Sequence, residues 1–100
     1  MDKREVIEKV GQYKLLVSRH FDVYKVFLFG SYAKGTQQPD SDIDVAIIVN
    51  NLSGDYFTYA PLLWKLRREI DERIEPVLIE KEHDAGGFAE EVLKTGILID

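Results

Sequence analysis

Residues 23–49 read VYKVFLFGSYAKGTQQPDSDIDVAIIV, and this stretch decides the fold. Val23 to Phe29 is rich in β-branched and aromatic residues and almost wholly apolar at its end, the pattern of a strand in the interior of a sheet. Gly30-Ser31 stops it. Ser31-Tyr32-Ala33-Lys34 suits one helical turn closed by Gly35. Thr36 to Ser41 is polar, contains Pro39 and reads as a loop. Asp42 to Val49 is a second buried strand. A connection this tight makes the two strands antiparallel neighbours, so the end of the first and the start of the second share one edge of the sheet.

Upstream, Asp2 with Glu5 three residues later has the pattern of a helix N-cap and its partner. Val6, Val10, Tyr13 and Val17 follow at helical spacing, which predicts a helix from about Lys3 to Arg19. Downstream, Asn50 to Gly54 is a turn region. Pro61 suits the first position of a helix, and Leu62, Leu63, Leu66 and Ile70 mark its apolar face to about Arg73. Ile74 to Ile79 is a third strand, with Pro76 confining that part to an edge or a bulge. Phe88 to Thr95 is a last short helix with Gly96 as C-cap. Ile97-Leu98-Ile99 is either a short strand or a docked tail. The order α-β-α-β-α-β-α predicts an α/β fold, a small mixed sheet covered by helices, in one domain spanning 1–100.

The chain has 100 residues, 45% hydrophobic and 31% charged, with a net charge of -5. That profile suits a globular protein rather than a disordered one. An acidic balance disfavours nonspecific binding to nucleic acid. There is no cysteine, which excludes thiolate metal sites and disulfides and agrees with a cytoplasmic location. The opening MDKREVIEKV lacks the apolar core of a signal peptide, and no apolar run is long enough to span a bilayer.

The chemistry concentrates at the predicted sheet edge. Gly30 lets the backbone approach a ligand closely and adopt positive φ. Ser31 opens a helical turn, where a hydroxyl and free N–H groups favour phosphate oxygens. Asp42 and Asp44 are two apart on a strand, so both carboxylates face one way and Ile43 faces the core. Their Cα atoms should stand about 6.5–7 Å apart. Carboxylates so placed suit two divalent ions about 3.5–4 Å apart, and hard oxygen ligands point to Mg²⁺ or Mn²⁺. A helical crossover makes the second and third strands parallel. Glu75 then enters at the same edge, to help hold a metal or to accept a proton. Glu80, its rival, sits at the far end of that strand.

Gly30-Ser31 followed by Ser41-Asp42-Ile43-Asp44 resembles the signature of the DNA polymerase β-like nucleotidyltransferase superfamily. The short length is similar to its minimal branch, the MntA-type antitoxins. The resemblance extends through Arg68-Glu69-Ile70-Asp71 to Ile74-Glu75-Pro76-Val77. It implies the nucleotidyltransferase fold and a two-metal attack, with two Mg²⁺ ions, on the α-phosphate of ATP, with pyrophosphate leaving. Gly30 and Ser31 would hold the β- and γ-phosphates, Asp42 and Asp44 the metals, and Glu75 would assist deprotonation. The third acid of the family is usually aspartate, so Glu75 is one methylene longer. The branch typically pairs with a HEPN-domain ribonuclease toxin and silences it by adenylylating a tyrosine.

Other features read two ways. Lys34 either touches a phosphate or lies over the turn. Lys65, Arg67, Arg68 and Arg73 alternate with Glu69, Asp71 and Glu72, which reads as a solvated helix surface with a Glu69–Arg73 pair. Tyr56, Phe57, Tyr59 and Trp64 are core aromatics by default, or with the 97–99 tail a contact for an acceptor. His20 and His83 are isolated surface residues. Two functions follow: an enzyme that adenylylates a partner's hydroxyl, or a nucleotide-binding module that neutralises the partner by contact alone.

Overall fold

In the computed structural model, which describes residues 2–52, 56–82 and 87–100, helix α1 (Lys3–Val17) leads into strand β1 (Val23–Phe29) and the single turn α2 (Ser31–Lys34). Strand β2 (Ile43–Val49), helix α3 (Tyr56–Leu66) with a 3₁₀ turn at Arg67–Glu69, strand β3 (Ile74–Glu80), helix α4 (Phe88–Thr95) and strand β4 (Ile97–Ile99) follow. The sheet order is β3-β2-β1-β4. β1 is antiparallel to β2 and β4, and β2 is parallel to β3. The mixed sheet expected from the sequence is therefore present, and the 97–99 segment is a strand. Pro76 lies in β3, an edge strand, where a residue without an N–H is tolerated.

The two faces of the sheet are covered unequally. Val26, Leu28, Val45, Ile47, Ile74, Leu78 and Ile99 form one face, packed against Val6, Val10, Tyr13 and Val17 of α1 and Leu63 and Leu66 of α3. The buried stripe of α1 is the one its spacing predicts, and Asp2 caps it by accepting the Glu5 N–H at 2.8 Å. On the other face Phe27, Ala46, Ile48 and Ile79 meet Val92 of α4, with Phe29 and Val77 partly buried beside them.

Three local expectations change. α1 ends at Val17, and His20 lies in the turn that follows. Pro61 lies inside α3 rather than at its first position. The hydrogen bond it forfeits would reach the carbonyl of residue 57, in the opening turn, so the break is small. α3 also stops at Leu66 instead of continuing to Arg73. Asp71 accepts the Arg73 N–H at 2.8 Å, a local turn that competes with helix. That geometry removes the helical register of the Glu69–Arg73 pair, and Arg73 bonds Asp71 at 3.1 Å. Gly96 caps α4 as expected, in an extended conformation. It is required for space: a Cβ there would lie 2.6 Å from the Val92 carbonyl oxygen and 3.1 Å from that of Leu28. The side chains of Tyr56 and Phe57, and His83 altogether, lie outside the described residues.

Candidate active site

The connection between β1 and β2 is built to hold one shape. Gly30 takes φ 73° and ψ −149°, and Gly35 closes α2 in the left-handed region at φ 77°, conformations that disfavour a side chain. Tyr32 is fully buried and anchors α2 in the main core. In the loop, Ser41 Oγ accepts the Gln38 N–H at 2.7 Å, while the Ser41 N–H returns to the Gln38 carbonyl at 3.1 Å. The Ile43 N–H then donates to the Arg73 carbonyl at 2.8 Å, which ties the start of β2 to the entry of β3.

These constraints bring Gly30, Asp42, Asp44 and Glu75 to one ledge. In the ladders Phe29 pairs with Asp44, and Asp44 with Glu75. The three share one face at one rim of the sheet. This is the half-covered face, and Ile43 is buried in the core opposite. Gly30 packs directly on Asp44: a Cβ at Gly30 would collide with Asp44 Oδ2 and lie 3.0 Å from its Cγ. The glycine of the turn and the second aspartate are thus in contact, and any larger residue at 30 would displace that carboxylate. Ser31 and Asp44 are half-buried, and Asp42 and Lys34 are exposed. Glu80, paired with Val49 at the other end of β3, accepts the Leu52 N–H at 3.2 Å and takes no part in the ledge.

Electrostatics single out the same group. Burial pushes the Asp44 carboxyl above its ordinary range, and the neighbouring Asp42 adds to the rise. Glu75 is raised too, by desolvation first, then by the charge of Asp42 and a hydrogen bond to it, then by Asp44; Arg67 opposes. Three acids within reach of one another resist being ionised together, which a cation would relieve. Among the described residues no three acids or histidines converge closely enough to hold an ion alone. Mg²⁺ does not need that arrangement, since it is bound through one or two carboxylates with substrate phosphates and water. The donor set fits it.

The family model for polymerase β nucleotidyltransferases matches residues 12–100. The chain belongs to that family. Solved structures agree on the fold of this nucleotidyltransferase domain. A Sulfolobus solfataricus protein assigned as a nucleotidyltransferase is 18% identical, with a TM-score of 0.72 over 96% of this chain and 80% of its own. A toxin–antitoxin structure with AMP-PNP is 26% identical, with a TM-score of 0.66 over 92% of this chain and 72% of that one. An MntA–HpeT toxin–antitoxin variant with a tyrosine changed to alanine is 26% identical, with a TM-score of 0.61 over 87% and 67%. A search of the curated proteins finds no match. No helix among the described residues is long and apolar enough to cross a membrane.

One residue escaped the sequence reading. Arg67, expected on a solvated helix surface, is half-buried, and its Nε is enclosed without a hydrogen-bond partner. Its guanidinium carbon lies over the Trp64 ring, 4.6 Å from the ring centre. The i,i+3 spacing of Trp64 and Arg67 was the available signal, because such residues share a helix face. Elsewhere, a cleft of about 160 Å³ lined by His20, Phe21, Asp22, Asn51, Leu52 and Tyr59 lies at the opposite end of β1, with Tyr59 packed edge-on against Phe21.

Proposed function

We propose that this chain is a Mg²⁺-dependent nucleotidyltransferase that moves AMP from ATP onto a tyrosine hydroxyl of a partner HEPN-type ribonuclease toxin, and so acts as a cytoplasmic antitoxin. The observation that carries the reading is the contact of Gly30 with Asp44, which joins the Gly-Ser turn to the paired aspartates on one ledge. Family membership supports nucleotidyl transfer. The AMP-PNP complex of a similar toxin–antitoxin protein supports ATP as donor, and both toxin–antitoxin neighbours support a toxin as acceptor.

In this reading Asp42 and Asp44, helped by Glu75, would hold two metal ions, and Gly30 and Ser31 would receive the β- and γ-phosphates. Lys34, exposed at the end of the same turn, adds positive charge for the phosphates. Bound Mg²⁺ would neutralise the carboxylates and stabilise charge developing on the triphosphate. Glu75 accepts the proton of the attacking hydroxyl. The hydroxyl oxygen bonds to the α-phosphorus, the bond from that phosphorus to the bridging oxygen breaks, and pyrophosphate leaves.

The test mixes the chain with a HEPN-type toxin, Mg²⁺ and α-labelled ATP. Label should appear on a toxin tyrosine, and toxin ribonuclease activity should fall with it. The double variant Asp42→Asn, Asp44→Asn separates catalysis from contact. If it silences the toxin as well as the native chain does, the chain neutralises by binding alone and the enzymatic reading fails.

A further inference from the structure

We propose that Arg67 is a positioning residue for Glu75, holding the entry of β3 so that this carboxylate stays aligned with Asp42 and Asp44. The inference rests on the transfer reaction proposed above. Arg67 Nη1 donates to two carbonyls at once, Glu72 at 2.7 Å and Ile74 at 3.0 Å. The second belongs to the residue directly before Glu75. The turn from Glu72 to Ile74 is the segment that launches β3, and Ile74 is the first residue of its ladder with β2, paired with Ile43. A shift there moves Glu75 relative to its own ladder partner, Asp44.

Two further features make Arg67 a rigid clamp rather than a passing surface contact. Its guanidinium carbon lies over the Trp64 ring, 4.6 Å from the ring centre, and its Nε is enclosed. A planar guanidinium fixed on one side by a ring can serve two acceptors in a set direction, which a lysine ammonium does less well. The segment is also tied to the ledge from the other side, through the Ile43 N–H on the Arg73 carbonyl. Arg67 therefore supports the third acid through the backbone that carries it.

The test is a double-mutant cycle of Arg67→Met with Glu75→Gln, read by toxin adenylylation and by amide hydrogen exchange. Arg67→Met keeps the bulk over Trp64 and loses both donors and the charge. Arg67→Met should lower kcat by about 10- to 100-fold, the scale of a small misplacement of a reacting group. KM for ATP should stay within about twofold, because the phosphate-binding turn is not involved. In the Glu75→Gln background the same substitution should cost nothing further, and Arg67→Lys should recover part of kcat. Exchange at Ile74 and Glu75 should quicken by about tenfold or more, while the amides of α1 keep their protection. Unchanged kcat in a folded Arg67→Met, or a loss equally large with and without Glu75, would overturn the proposal. If Arg67→Met fails to fold, the cycle with Arg67→Lys decides by the same criteria. If the native chain transfers nothing, the proposed function fails on its own, and unchanged exchange at Ile74 and Glu75 would still sink the clamp.

Discussion

Asp71 and Asp44 are both aspartates held partly out of water near the entries of neighbouring strands, yet the fold treats them in opposite ways. Asp71 receives Lys9 Nζ at 2.9 Å, Arg73 Nη2 at 3.1 Å and the Arg73 N–H at 2.8 Å. Burial pushes its carboxyl up, but the Arg73 backbone bond and the Lys9 and Arg73 side chains outweigh it, leaving the group below the ordinary aspartate range. Asp44 is pressed against Gly30 and faces Asp42, and its carboxyl is raised. The charge of Asp71 is satisfied within the chain and stabilises the fold. The raised carboxyl of Asp44 burdens the fold when ionised, which supports the proposal that this group serves a ligand.

The contrast breaks most sharply at the ledge. The double variant Asp42→Asn, Asp44→Asn should lose transfer by about 10³-fold or more, with circular dichroism unchanged, because it removes both proposed metal ligands. A residual rate within about tenfold of native would remove these acids from the chemistry.

Gly30→Ala should come next. It combines positive φ with a collision against Asp44 Oδ2, and should cost about 3 kcal/mol in urea unfolding. A cost below about 0.5 kcal/mol would mean that the turn does not pack on the aspartate.

Asp71→Asn should destabilise by about 2 kcal/mol at neutral pH, since it removes the partly buried anion that Lys9 and Arg73 bond. The folded pKa of Asp71 is lowered, so its contribution is present above the ordinary aspartate value and fades as pH falls through the folded one. The gap between variant and native chain should therefore close in acid.

The smallest effect has the opposite sign. Asp44→Asn should raise Tm by a few degrees in EDTA at neutral pH. The folded pKa of Asp44 is raised, so the ionised group burdens the fold at neutral pH and the burden lifts as pH falls through that value. The gain should vanish in acid. Two aspartate-to-asparagine changes moving Tm in opposite directions at pH 7, and converging in acid, would sharpen the comparison; movement in the same direction would end it.

Much of this was legible from residues 23–49 and from the crossover that follows them. The apolar runs set β1 and β2, the Gly30-Ser31 stop and the two-residue spacing of Asp42 and Asp44 set the ledge, and the helical crossover placed Glu75 on it. Alternation along a strand is a local rule, so a sequence states it directly. Other features depend on what lies across the molecule. The sequence marks Gly96 as a helix cap, but its smallness answers both to the Val92 carbonyl of its own helix and to the Leu28 carbonyl of β1. Arg67 sits in a run of mixed charges that looks solvated, and only the turn forced by Asp71 brings two carbonyls to its guanidinium.

The sequence by itself therefore determined the first three strands, the acids and the side of the sheet they share, because those follow from periodicity and short connections, while the 97–99 segment became a strand only by pairing with β1. Tertiary structure alone decided which acid is neutralised and which is left exposed to another. That outcome turns on partners 62 residues apart, such as Lys9 and Asp71, and on a Gly30–Asp44 contact whose closeness no spacing rule contains.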